Sequence, residues 1–556
     1  MSFSQAFARA GIKVEQPKKQ SESTTDSREI PMMYRAQIGG RCSLQFIANN
    51  YNESDLKIWA DELVNTNDEQ TKKPRYQYSD NQLARHIISF TLPFPFRVIS
   101  NCGQDSILRP VIDGRGIPII PGSSIKGLFR RACQRRDEGK PIEQQLTKLY
   151  CGDADRPGIL RFHPAYPLGD WASTTLQDRN PSYRILDVVF PQQSRQTGEK
   201  NSSSGAFAQV GFSQPTFVFS ISSSQSLSME QCKSIEVILK TALSKGLGGK
   251  TSSGYGLPFQ ALNKPDLQIT LTGSGITPSL LTGQKEFRPN MFKAVLRGHA
   301  TRLLAGCTDN DAVLKDKINA LFGSTNSPST VEMFCEIKNQ PQQWSEKFEE
   351  LKLEFYLQAG NKNDQEFLKQ LFKFSYTMAG FGKSWRRVWH KKFYPNKNYN
   401  RLIGCHWISN HDEITNIKDD KQLKNFLDNL HNLSNQYLNK KKDNTSMFWR
   451  EAWSPKRVLV YSKIVQESTV IELFHREDFK NTPAIGGKDR GDRRPKHVSS
   501  VWHRMLPISN EQYLEIVTVF HGNRDLWKNQ LPLFIKDLTD KGLSLTWGEK
   551  IEFNKK

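Results

Sequence analysis

One order of elements occurs twice along this chain, and a duplicated order leaves few folds open. The first copy begins with an alternating apolar run, ARHIISFTLPFPFRVIS at 84–100, which predicts a strand. PGSSIKGLFRRACQRR at 121–136 predicts a helix capped by Ser123 or Ser124, with Ile125, Leu128, Phe129, Ala132 and Cys133 on one face. LYCG follows at 149–152. A capping box at Ser228 and Gln231 opens a further helix, with Ile235, Ile238, Leu239 and Ala242 in register. That helix runs into GLGGKTSSGYG at 246–256. In the second copy LQITLTG at 267–273 is strand-like and RPNMFKAVLRGHATRLL at 288–304 is helical. LFGS at 321–324 parallels LYCG, and a helix near 364–378 runs into AGFGKSWRRVWH at 379–390. Lys126 and Arg130 in the first copy, and Lys293 and Arg297 in the second, stand four apart and so share a helix face.

Two homologous domains follow from this order, 36–264 and 265–556. The second has extra strands in its C-terminal third, at VLVYSKIV, TVIELFH and YLEIVTVF. Residues 1–35 are polar and Ser/Thr/Lys-rich and predict a flexible arm. Segments 191–206, 439–446 and 481–497 predict loops, rich in Gly, Ser, Pro or charge.

Charge narrows the function. Lys and Arg total 78 against 57 Asp and Glu, a net charge of +21 that favours a polyanionic partner, most often nucleic acid. No apolar run is long enough for a transmembrane helix, and the first residues lack the apolar core of a secretory signal. None of the eight cysteines forms a CxxC pair, which argues against a zinc site and a disulfide framework. A cytoplasmic protein with no membrane partner is expected.

GGKTSSG invites a phosphate-loop reading, but position 244 is Ser where that motif needs Gly, and a helix rather than a strand precedes the loop. What remains is a loop whose glycines let backbone N–H groups approach phosphate, with Lys250 beside them and Ser252, Ser253 and Tyr255 able to add hydrogen bonds. The second loop is more strongly marked. From Gly380 to Arg401 stand Lys383, Arg386, Arg387, Lys391, Lys392, Lys397 and Arg401 with no acid among them. Phe381, Trp385, Trp389, Phe393, Tyr394 and Tyr399 are interleaved. Cations for a backbone and rings for unpaired bases predict single-stranded nucleic acid binding. The helix at 121–136 is similar, with Lys126, Arg130, Arg131, Arg135 and Arg136 and no acid.

At IPIIPGSSIKGLFRR (117–131), LYCGDADRPGILRF (149–162) and GLGGKTSSGYG (246–256) the sequence resembles the RAMP superfamily, the backbone subunits of type III CRISPR effector complexes. The second domain matches more loosely, through FRPNMFKAVLRG, LFGS and AGFGKSWRRV, and lacks the GG pair. The resemblance implies an α+β fold of tandem ferredoxin-like, RNA-recognition-motif-like domains with insertions and a C-terminal extension. It implies that Lys126, Arg130, Gly248, Gly249, Lys250 and Ser252 contact a guide RNA in the first domain, and Lys293, Arg297, Gly382, Lys383 and Arg386 in the second.

In catalytic members a loop ahead of the PGSS helix carries an essential Asp, and CGQDSILRP places Asp105 there. A lone carboxylate can hold Mg²⁺ or Mn²⁺ at a phosphate, or help deprotonate the attacking 2′-OH. Asp113, in an Asp-Gly pair, reads as a turn residue. The matching stretch of the second domain has only Glu286, so that domain is expected to bind without cutting. The leading expectation is a guide-RNA-binding subunit that cleaves complementary target RNA at Asp105 alongside other effector subunits. The alternative is a non-catalytic scaffold or end-capping subunit of the same complex. A stand-alone guide-processing ribonuclease ranks last, since His86, His163, His299 and His390 are scattered in sequence.

Overall fold

The computed structural model describes Val64 and residues 87–553, apart from 101–109, 115, 142–143, 174, 178–179, 183, 190–206, 259–264, 281–282, 325–326, 395–401, 440–445 and 488–496. The N-terminal arm, the 191–206 loop and Asp105 lie outside the described residues.

The architecture is α+β; among the described residues three four-stranded antiparallel sheets carry it, beside three two-stranded ones. In the first unit β1 (Ile88–Pro93) leads to α1 (Gly122–Asp137), α2 (Leu146–Cys151), β2 (Leu160–Phe162), β3 (Tyr166–Leu168), β4 (Thr216–Ser223) and α3 (Met229–Ser244). β4 runs down the middle, with β1 on one side and β2 and β3 on the other. The second unit comprises β5 (Leu267–Ile276), α4 (Asn290–Ala305), α5 (Asp311–Phe322), β6 (Glu332–Ile337), β7 (Lys347–Gln358), α6 (Lys362–Met378) and β8 (Cys405–Ile408). Its sheet order is β6-β7-β5-β8, the second, third, first and fourth strands, which is the ferredoxin-like arrangement.

The C-terminal third differs from the expected extension. β9 (Val458–Val465), β10 (Val501–Pro507), β11 (Tyr513–Phe520), α8 (Leu531–Asp540) and β12 (Ser544–Trp547) form a sheet of order β10-β11-β9-β12. The long helix α7 (Asp420–Tyr437) precedes it. The strand order of the second unit therefore recurs in a third unit. TVIELFH, expected as a strand, is helical over Ile471–His475 and supplies the first crossover. Its buried Ile471, Leu473 and Phe474 suit one side of a short helix as well as a strand, and a run this short does not separate the two periods.

Local signals explain the helices. The α3 capping box is present: Ser228 Oγ accepts from the Gln231 N–H at 3.2 Å and Gln231 Oε1 from the Ser228 N–H at 2.9 Å. α1 starts two or three residues earlier than expected, behind Pro121, so Ser123 and Ser124 sit inside its first turn and neither caps it. Ile125, Phe129 and Cys133, spaced by four, bury one face of α1, and Arg135 and Arg136 favour its C-terminal dipole end. β5 alternates buried with more exposed residues, as a half-covered strand should. The first unit has its own core, around Phe129, Phe212, Phe217 and Leu239. A second core joins Phe292, Leu353 and Phe372 of the second unit to Trp453, Trp502, Phe520 and Trp547 of the third.

Candidate nucleic-acid interface

In the first unit the Gly-rich loop lies against residues 97–99, beyond the end of β1. The Gly249 N–H donates to the Ile99 carbonyl at 2.6 Å, the Gly256 N–H to Arg97 at 3.1 Å, and the Leu247 N–H to Gly256 at 2.8 Å. The glycines are required sterically: Gly248 has φ +82°, and a Cβ there would sit 2.3 Å from the Ile99 oxygen. The loop is thereby pressed against the residues that lead into the Asp105 segment. Gly248 and Lys250 are exposed, and Lys250, itself left-handed at φ 58°, reaches Gln209 Oε1 at 3.3 Å.

α1, the end of α3 and this loop enclose an open cleft of about 760 Å³. Its cations are Arg131, Arg135 and Arg136 from α1 and Lys245 from α3; Gly246–Gly249 and Ser100 complete the rim. The one carboxylate in its lining, Glu332 of β6, pairs with Lys245 at 3.1 Å. Of the candidate RNA-contacting residues, Arg131, Gly248 and Gly249 are in this lining. Lys126 and Arg130 are not in the lining. At about 100° per residue they lie on the flank of α1 opposite Ser124, Leu128, Arg131 and Arg135. Shared spacing made them a pair; the register of Ile125 and Phe129 in the core turned that pair away from the cleft.

The second-copy cations have other work. Lys293, 8% exposed, donates to Ser252 Oγ at 2.6 Å and so ties α4 to the Gly-rich loop of the first unit. Burial, with Arg297 nearby, pushes its ammonium down to about 8. Tyr255, also buried, donates to Asn290 Oδ1 at 3.3 Å across the same junction. Arg297 holds the LFGS turn, donating to the Gly323 carbonyl at 2.8 Å and Asn319 Oδ1 at 3.1 Å. Glu286, the acid of the second unit's matching stretch, is taken up by the buried Arg97 at 2.8 Å.

The basic aromatic stretch also departs from its expected role. Phe381, Trp389 and Phe393 are buried in the core, and Trp385 packs edge-on against His299 and Trp502. Arg386 pairs with Glu451 at 2.6 Å and donates to the Ser499 carbonyl. Arg387 donates to the Ile485 carbonyl at 2.6 Å. These side chains knit the second unit to the third and do not present a stacking surface. Lys383 is exposed, Gly382 is half-exposed, and Lys397, Tyr399 and Arg401 lie outside the described residues.

The histidines are less scattered than their positions suggest. His390 and His475 rings lie 5.7 Å apart, and Tyr394 stacks on His475 at 4.8 Å, a meeting that needs the third unit and has no signal in sequence. Burial holds His390 down to about 4, so at neutral pH it is an uncharged packing residue whose Nδ1 lies 2.9 Å from the Val388 carbonyl. Asp113 is a turn residue, its Oδ1 accepting from the Ile117 N–H at 3.0 Å. Among the described residues no three His, Cys, Asp or Glu side chains converge as metal ligands, and no helix is long and apolar enough to cross a membrane.

Similarity to known proteins runs through the same unit. Residues 103–259 match the RAMP superfamily. Solved structures similar to the chain include a type III-B Cmr-beta complex bound to cognate target RNA, 22% identical over 30% of this chain and 56% of that one, with a TM-score of 0.23. Cmr1 from Pyrococcus furiosus is 13% identical over 50% of this chain and 98% of its own, with a TM-score of 0.33. Cmr6 from Pyrococcus furiosus is 19% identical over 31% and 97%, with a TM-score of 0.20. The chain thus spans little more than half the length of the first of these. No curated protein matches it. The domain that builds the cleft, with its basic helix and glycine-lined rim, is a RAMP superfamily domain.

Proposed function

We propose that this chain is an RNA-binding backbone subunit of a type III CRISPR effector complex. Its guide RNA lies in the cleft between α1, α3 and the Gly-rich loop, and complementary target RNA and neighbouring subunits complete the assembly. The observation that carries the reading is convergence: two motifs more than a hundred residues apart, the basic helix and the Gly-rich loop, line one open groove. Guanidinium groups of Arg131 and Arg135 neutralise phosphate there, and exposed backbone at Gly248 lets a strand approach closely.

In its finer form the reading gives the subunit a target-cleaving site at Asp105. In that form Mg²⁺ or Mn²⁺ would be held by that carboxylate with waters in the remaining positions. Such a cation would supply charge stabilisation at the scissile phosphate.

The test of binding is a salt titration with guide-length single-stranded RNA, followed by fluorescence anisotropy. Each phosphate contact adds a slope of about −0.7 in log K against log salt. Arg131→Glu/Arg135→Glu should weaken binding more than about tenfold and flatten the slope by about 1.4, two contacts' worth. Lys126→Glu/Arg130→Glu, on the opposite flank, should change both far less. Salt-independent binding, or equal losses from the two pairs, would refute the assignment of the cleft.

A further inference from the structure

A second open cleft, of about 820 Å³, lies between the second and third units, outside the RAMP match. Phe448, Lys456, Arg457, His521 and Arg524 are among its lining residues. Phe448 is 92% exposed, the most exposed large apolar side chain among the described residues. A single exposed ring is ordinary on a protein surface; this one stands out because it lines a charged cleft. It is held ready for a cover: the Arg457 guanidinium lies 5.0 Å from its centroid and is itself fixed by a bond from Nε to Ser446 Oγ at 3.2 Å.

The rest of the cleft suits an anion. Arg450, Lys456, Arg457 and Arg524 face two carboxylates, Asp309 and Asp525. Lys456 and Arg524 are exposed. His521 is only 7% exposed and its Nε2 has no hydrogen-bond partner among the described residues, an orphan polar atom in the wall of a charged groove. Burial, with Arg524 and Arg457 beside it, holds this imidazole down to about 4, so it is neutral and can donate or accept.

We propose that this cleft is a second RNA site. It takes one or two unpaired nucleotides of a single strand, a base stacked on Phe448 and its phosphate among Lys456, Arg457 and Arg524. The volume lies within the usual range of small-ligand sites, roughly 300–1,000 Å³. A flat ring beside cations matches an unstacked base joined to phosphate; a duplex, whose bases are already stacked, has no face to offer it. The choice of RNA as the polymer rests on the proposed function of the first cleft.

The full chain is to be tested with an oligouridylate carrying 5-iodouracil, by photocrosslinking and by anisotropy. A crosslink at Phe448 is expected. Phe448→Ala, which removes an exposed ring and so leaves the fold intact, should weaken binding roughly 5- to 100-fold in the Arg131→Glu/Arg135→Glu background, where the first cleft is disabled. Phe448→Tyr should bind like Phe448, and Arg524→Glu should flatten the salt slope by about 0.7. If the unaltered chain binds no RNA, the proposed function falls first and this site with it. If RNA crosslinks along the Gly-rich loop but not at Phe448, and Phe448→Ala binds normally, this inference alone is overturned. Retention of polyglutamate but not of RNA by this cleft would assign it to an acidic peptide and refute the proposal.

Discussion

In an assembled complex, Asp105→Ala is expected to remove one cut from a complementary target while leaving guide binding unchanged. The loss should be roughly 10²–10⁴-fold in rate, the usual contribution of a positioned catalytic group. The placement of its neighbours supports the prediction. Ser100 lines the guide cleft, and the Ile99 carbonyl is bound by Gly249. Asp105 is the fifth residue after Ser100, a reach of at most about 18 Å. Asp113→Ala is the matched control: it removes a turn bond to Ile117, and cleavage should persist. Chelation of divalent metal should reproduce Asp105→Ala. A cut at this subunit's position that survives both treatments would leave a binding scaffold.

The parts of the molecule legible in the sequence are those set by local chemistry. The Ser228/Gln231 box, the buried face of α3 and the Gly-rich loop all depend on residues within a dozen positions of one another. The convergence of α1 with that loop was legible through the resemblance, which pairs the two motifs. Which α1 cations enter the cleft was not: Arg131 and Lys126 stand five positions apart, about 140° around the helix, and only the core register of Ile125, Phe129 and Cys133 separates them. The third unit stayed hidden for a related reason. Its first crossover is a five-residue helix, too short to show a helical period, so a complete arrangement of four strands read as additional strands on the second domain.

The basic aromatic stretch from 380 onward shows how composition alone misleads. Seven cations with six rings and no acid resemble an RNA platform, because the acids that meet Arg386 and Lys391, Glu451 and Glu349, lie outside the window. Charge neutrality in a fold is a three-dimensional property, and a sequence window sees only one side of it. Lys293 is the converse case. It is nearly buried with no carboxylate beside it among the described residues, bonded to Ser252 on the Gly-rich loop, and its charge is disfavoured enough to lower its pKa to about 8. A cation kept in so costly a place, at the base of the loop that flanks the guide cleft, fits a loop that is held in shape for an anion.

Glu451→Gln is expected to destabilise the chain by about 3–5 kcal/mol, the range for removing one partner of a buried ion cluster. Glu451 is 2% exposed and receives Arg302 at 2.6 Å, Arg386 at 2.6 Å and Arg450 at 2.7 Å. Trp385 and Trp502 flank both the Arg302 and the Arg386 guanidinium groups, with centroids 4.9–5.9 Å away. With the carboxylate neutral, three guanidinium groups would face one another in a low-dielectric core without a counter-charge. Burial by itself would raise the Glu451 carboxyl, but Arg386, Arg302 and Arg450 hold it well below its ordinary 4.5. A carboxylate whose folded pKa lies below its unfolded one adds stability that is complete above about pH 4.5 and drains away as pH falls further. Urea unfolding of the native chain should therefore lose stability on acidification below that point, and Glu451→Gln should lose correspondingly less, starting from a lower value at pH 7. Equal stability of the two proteins at pH 7 would show that the cluster contributes nothing to the joint between the second and third units. The wall of the Phe448 cleft passes through Arg450. The same substitution should thus loosen that cleft's RNA contacts and spare those of the α1–α3 cleft, separating the two sites through a residue that touches neither strand.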